Sequence, residues 1–240
     1  MMVTQERTAC GKGCRMEEKY AKLMQIVQNE HPSAAHNSDH VMRVYNLCMR
    51  LAEGQLDVNL DILKTATILH DIARVKEDQD DSGTTDHAML GAKIAEGILR
   101  DLHFSEEAVG DIKHCIVAHR FRSGIRPESK EAKILFDADK LDIIGAIGIA
   151  RSFMIAGEYN ERIYSDTPID EYIKDNLVGE KSNGRIKDIS RHAPNIEFET
   201  KFKHIPSRLY TVRAKEIAEG RLEFMSKFLE RLGMEIAGEV

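Results

Sequence analysis

Apolar residues recur at helical spacing along most of the chain. In Glu17 to Gln28, Tyr20, Leu23, Met24 and Val27 share a face and predict a first helix, which His31-Pro32 stops. Val41, Val44, Tyr45, Cys48, Leu51 and Ala52 give an i, i+3, i+4, i+7 stripe for a second helix, capped by Ser38 or Asp39 and ending near Gly54. Between Asp61 and Lys76, Ile62, Leu63, Ala66, Leu69 and Ala73 form a stripe that Ile68 and Ile72 widen until the helix reads as buried nearly all round. Thr84 or Thr85 opens a helix with Leu90, Gly91, Ile94, Ala95 and Ile98 on one face. Ser105, followed by Glu106 and Glu107, opens the next, running through Ile112 and Ile116 to His119. Ile134-Leu135-Phe136 leads into acidic residues and then a helix carrying Ile143, Ile144, Ala146, Ile147, Ile149 and Ala150.

From Glu158 the pattern loosens. Pro168, Pro194, Ser182-Asn183-Gly184 and the basic residues Lys181, Arg185, Lys187 and Arg191 read as an inserted loop or lid at about 158–205. A final helix from about Thr211 to Leu232 presents Ala218, Leu222, Met225 and Leu229 and packs back across the rest. The expectation is an all-α, single-domain helical bundle over residues 16–240, preceded by a disordered tail at 1–15.

Composition narrows the function classes. In 240 residues, 42% are apolar and 31% charged, with 5 prolines and no tryptophan, the usage of a folded helical protein. No apolar run is long enough to span a membrane, and Met1 to Met16 lacks an apolar signal core, so a cytoplasmic location is expected. A net charge of −6 argues against a stable grip on nucleic acid, while leaving room for a local basic patch and a small anionic substrate. Cys48 and Cys115 read as small core residues; Cys10 and Cys14 form a C-x3-C with no second pair at metal-binding spacing.

The chemistry begins at Leu69-His70-Asp71-Ile72, where an imidazole and a carboxylate follow the most apolar helical run of the first half. Such a doublet at a helix end can simply face water. Here, however, His40, His87, His114, His119 and Asp139 lie in similar apolar helical settings, and a carboxylate carried into a core needs a partner. His114 and His119, five residues apart, point about 140° away from each other, so only His119 is expected inward. Asp139 is read as opening a buried helix, with Asp137 as its cap and Asp142 as a surface acid. The acids of Glu77 to Gly83 read as a solvated turn.

The order H…HD…D, from His40 through His70-Asp71 to Asp139, resembles the HD superfamily of metal-dependent phosphohydrolases. His36-Asn37-Ser38-Asp39-His40 looks like its first histidine helix, and Ala138-Asp139-Lys140-Leu141-Asp142 like its last ligand. The resemblance is strong over roughly residues 20 to 155. It implies His40, His70, Asp71 and Asp139 as metal ligands, His87 and His119 as extra ligands for a second ion or as phosphate or proton contacts, and His70, Asp71, His87, His119 and Lys140 as the catalytic set. Arg43, Arg74, Arg120 and Arg151 are the cations expected to meet substrate phosphate. Two imidazoles and two carboxylates suit manganese, iron, cobalt, nickel, zinc or magnesium without choosing between them. The expected activity is hydrolysis of a phosphate ester or anhydride of a small nucleotide-like substrate, with homo-oligomerisation left open. The rival readings are a di-iron oxygenase of the same fold and a regulatory module that binds metal and nucleotide without turnover.

Overall fold

The computed structural model describes residues 18–30, 35–120, 124–182 and 184–240, and it is all-α: no strand occurs among them, only an isolated bridge between Leu177 and Ile186. The helices are α1 (Glu18–Glu30), α2 (Ala35–Ala52), α3 (Leu60–Leu69), α4 (Arg74–Asp78), α5 (His87–Asp101), α6 (Glu106–Ala118), α7 (Lys130–Asp142), α8 (Ala146–Glu158), α9 (Ile169–Asn176), α10 (Pro194–Thr200) and α11 (Val212–Ala237). The disordered tail expected at 1–15, with Cys10 and Cys14, and the His31-Pro32 stop lie outside the described residues.

α3 is the axis of the bundle. Ile62, Leu63, Ala66, Ile68 and Leu69 are buried, and the helix contacts α1, α2, α6 and α7. Each large apolar side chain so enclosed contributes about 1.5–3 kcal/mol. α5 packs on α6, and α2 on α7, completing one core. Side chains satisfy the first-turn amides: Asn59 for α3, Asp86 for α5, Ser105 for α6, Ser129 for α7 and Thr211 for α11.

Several expectations change. α2 begins at Ala35, before Ser38 and Asp39, and α5 is capped by Asp86 in place of Thr84 or Thr85. The third helix, expected to end in His70-Asp71, stops just before that doublet. It ends at Leu69, and tighter i→i−3 bonds, from Ile72 to Leu69 and from Arg74 to Asp71, carry the chain through a turn. That turn frees the His70 and Asp71 side chains from the helical rotation.

Asp139 does not open a helix; it lies in the last turn of α7, and Gly145, at φ +81°, separates α7 from α8. Asp142 is not a surface acid, being 1% exposed. Nor does Asp137 cap its own helix. Fully buried in mid-α7, it accepts the amides of Tyr210 and Thr211 at 2.9 and 2.7 Å and the Thr211 hydroxyl at 2.7 Å. The expected loop at about 158–205 contains α9, α10 and short 3₁₀ turns around its own cluster of Tyr172, Leu177, Ala193 and Ile196.

Asp137 therefore pins the start of α11 to the bundle. Asp137→Ala should lower the stability of chelator-treated protein by about 2 kcal/mol or more, because hydrogen bonds to a carboxylate are worth about 1.5–3 kcal/mol each. Urea unfolding measures this, and an unchanged midpoint would show that α11 is held by its apolar face alone.

Candidate metal centre

Helix ends bring the histidines together. His70 follows the last residue of α3 and His119 the last of α6, and each turns its Nδ1 back to a carbonyl three residues earlier, Thr67 at 2.7 Å and Ile116 at 2.5 Å. The ring N–H thereby satisfies a helix-end carbonyl, and Nε2 points inward, a donor when the ring is protonated and a metal-ligating lone pair when it is neutral. His40, on α2, and His87, the first residue of α5, use carboxylates for the same purpose: His40 Nδ1 lies 2.8 Å from Asp142 and His87 Nδ1 2.6 Å from Glu77.

The inward nitrogens form two pairs. His40 and His70 bring their Nε2 atoms to 3.3 Å, as do His87 and His119. Between the pairs stands Asp71. Its Oδ2 faces His40 at 3.6 Å and His70 at 3.8 Å, and its Oδ1 faces His87 at 3.3 Å and His119 at 3.5 Å. His40, His70 and Asp71 can thus hold one cation, and Asp71, His87 and His119 another. Asp139 joins the first group through His40, 3.4 Å from its Nε2, while its other oxygen meets Lys140 Nζ at 2.5 Å.

The donor chemistry fits a divalent ion. Lone pairs of neighbouring imidazoles facing each other at hydrogen-bond distance repel unless a proton or cation lies between them. Burial opposes charge on His40, yet Asp139 and Asp142 outweigh it and raise its pKa to about 9. Burial lowers His70 to about 4 and also lowers His87. Asp71 is held below the usual carboxylate range: burial opposes this, but the charges of His70, His119 and His40 and a hydrogen bond from His119 prevail. Asp139 is held well below that range, where Lys140 and His40 overcome the burial cost. These ionised carboxylates attract a cation that competes with the His40 proton.

The expected phosphate cations divide between the two ends. Arg43 makes a two-pronged contact with Asp142, at 2.7 and 2.9 Å, and Arg151 reaches the same carboxylate at 3.4 Å. Arg74 lies 3.2 Å and Arg120 2.7 Å from Glu77, beside His87. His114 is not brought to the centre; its Nε2 accepts the amide of Glu128.

Two residues of the site differ from expectation: Asp142 holds the His40 ring and is no surface acid, and Glu77 holds the His87 ring in place of standing in a solvated turn. For Asp142 a signal existed, since it follows Asp139 by three residues and so lies near it on α7. For Glu77 there was none, because its role depends on how α4 meets α5.

Comparison with known proteins bears on the family of the chain. A family model described as HD domain matches residues 37–144. The uncharacterized protein YpgQ of Bacillus subtilis is 30% identical over 210 residues, 86% of this chain and 87% of YpgQ. The 3'-5' exoribonuclease YhaM of the same species is 28% identical over 166 residues, and the chain spans about half of its length, 52%. Among solved structures, an HD-superfamily hydrolase from Bacillus thuringiensis superposes with a TM-score of 0.67 at 27% identity, covering 92% of this chain and 97% of that one. B. subtilis YpgQ in complex with ADP gives 0.66 at 27% identity, covering 92% and 100%.

Because Asp71 faces both histidine pairs, Asp71→Ala should empty the centre of metal, as read by elemental analysis of purified protein. Asp142→Ala touches no ion directly and should weaken metal affinity by about 10–100-fold through loss of His40 orientation. Wild-type metal content in Asp71→Ala would refute the assignment.

Proposed function

The chain belongs to the HD domain family, and on that premise we propose that it is a metal-dependent phosphohydrolase acting on a small nucleotide-like substrate. The observation that carries this reading is the Asp71 carboxylate, set with one oxygen toward each of two imidazole pairs. In this reading His40, His70, Asp71 and Asp139 hold one ion, and His87 and His119 share Asp71 to hold a second. Bound there, a divalent metal lowers the pKa of water toward neutrality and polarises a phosphoryl oxygen.

The protein's own groups prepare the ground for that chemistry. Thr67, Ile116, Asp142 and Glu77 fix the four ring orientations, so the nitrogens need little rearrangement when substrate arrives. Lys140, beside Asp139, and Arg74 and Arg120, beside His87, are the cations placed to meet phosphate oxygens. Arg43 and Arg151, both engaged by Asp142, act at the His40 end.

Substrate size follows from charge and likeness. The −6 net charge disfavours a long polyanion, and YpgQ, similar along nearly its whole length, has been crystallised with ADP. Likeness to the exoribonuclease covers about half of that enzyme, 52%, so its RNA substrate is not carried over.

The test is a panel of nucleoside mono-, di- and triphosphates and generic phosphate esters, assayed with manganese, cobalt, nickel and magnesium. Phosphate or pyrophosphate should be released from a nucleotide, and His70→Ala and Asp71→Ala should lose at least about 10³-fold in rate, as expected when several kcal/mol of metal catalysis is removed. Oxygen consumption in place of phosphate release would favour the oxygenase, and tight nucleotide binding without product under every metal would favour the regulatory module.

A further inference from the structure

A second cleft, of about 660 Å³, lies between α2, α11 and the junction of α7 with α8, and none of its lining residues belongs to the metal centre. Three arginines line it, Arg50 from α2 and Arg213 and Arg221 from α11, with one acid, Glu216. With Glu53 paired to Arg213 from outside the lining, the arginines outnumber the acids beside them three to two, in a chain whose net charge is −6.

Two of the arginines are already held in place. Arg213 contacts the Glu53 carboxylate at 3.0 Å and the Glu53 carbonyl at 3.3 Å. Arg221 donates to the Leu141 carbonyl, and its aliphatic stem crosses Gly145, where a Cβ would come within 2.9 Å of Arg221 Cγ. Burial disfavours the Arg221 cation; the charge of Asp142 partly offsets this, and the charge of Arg50 adds to it. Gly145 also leaves the 13-residue α8 without a side-chain cap, and the helix has no acid in its first turn. Its opening amides therefore add positive potential to the same cleft. Ile147 and Phe224, 37% and 52% exposed, supply apolar wall.

We propose that this cleft binds an oligophosphate anion at a site distinct from the metal centre. Guanidinium pairs match phosphate oxygens in geometry, and donors fixed in advance lose little entropy on binding. The volume falls within the range of small-molecule sites. Inorganic polyphosphate and a nucleoside di- or triphosphate share the recognised chemistry, and the second would add ring contact with Phe224. The site requires no turnover, so it stands apart from the hydrolase reading.

Calorimetric titration of the full chain with inorganic tripolyphosphate, and separately with ADP, tests it. Asp71→Ala, which disables the metal centre, should still bind one equivalent of tripolyphosphate. Adding Arg50→Ala and Arg213→Ala should weaken that binding by at least about tenfold, the loss expected for charge-assisted hydrogen bonds. If Asp71→Ala fails to fold, chelator-treated wild type takes its place. ADP binding more tightly than tripolyphosphate, with the advantage lost in Phe224→Ser, would support the site and identify a nucleotide; equal affinities would support it and identify phosphate alone. Absence of binding once the metal centre is disabled, or binding unchanged by the double substitution, overturns the proposal.

Discussion

The centre depends on one carboxylate kept ionised inside a helical bundle. The Asp71 side chain, 12% exposed, is surrounded at 3.3–3.8 Å by the Nε2 atoms of four histidines. An isolated buried carboxylate would take up a proton, because desolvation penalises the charged form. Here the surrounding rings reverse that tendency and hold its pKa down. Each ring's other nitrogen is committed, to a backbone carbonyl for His70 and His119 and to a carboxylate for His40 and His87, so Nε2 is the atom that faces Asp71. The inward face is thereby a set of Nε2 atoms around negative oxygens, where a divalent cation would take the place of imidazole protons.

The helix ends solve a second problem at the same place. The last carbonyls of a helix lack intrahelical donors, and burying them unpaired would be costly. The rings of His70 and His119 pay that cost for α3 and α6 while aiming Nε2 at Asp71. Ring orientation and helix termination are therefore the same hydrogen bond. A ring displaced from the centre must also uncover a carbonyl, which makes the site stiffer than exposed loop ligands would be.

Much of this was legible in the sequence, for reasons that can be located. The buried faces of α2, α3, α6 and α11 show helical periodicity, and the H…HD…D order is carried by local motifs that survive without knowledge of packing. Boundaries were less legible. The run from Asp61 to Lys76 keeps its apolar spacing across the turn at Asp71, so it is the polar doublet His70-Asp71, and not the periodicity, that marks the end of α3 at Leu69. The apolar residues on both sides of Gly145 likewise hid the break between α7 and α8, which rests on one backbone angle. The segment near 158–205 contains prolines and basic residues that suggest a loop, yet Tyr172 and Ile196 come together only in three dimensions. Glu77 was missed for the same reason, since its partner His87 lies ten residues away across a turn.

α7 shows how one short element serves several demands. It carries Asp137, Asp139 and Asp142, and at 100° per residue the second and third lie roughly 60° apart, with the first roughly 140–160° from either. Asp137 accordingly turns to the amides that start α11, whereas Asp139 and Asp142 turn toward His40. Asp142 then meets His40 with Arg43 and Arg151, so the charge that orients the His40 ring is balanced by cations from α2 and α8. Without those arginines, the same carboxylate would add to the negative charge of Asp71 and Asp139 and strengthen the hold of His40 on its proton at the expense of metal. The arginines therefore limit how tightly that proton is held against a cation, whether or not either one also touches substrate.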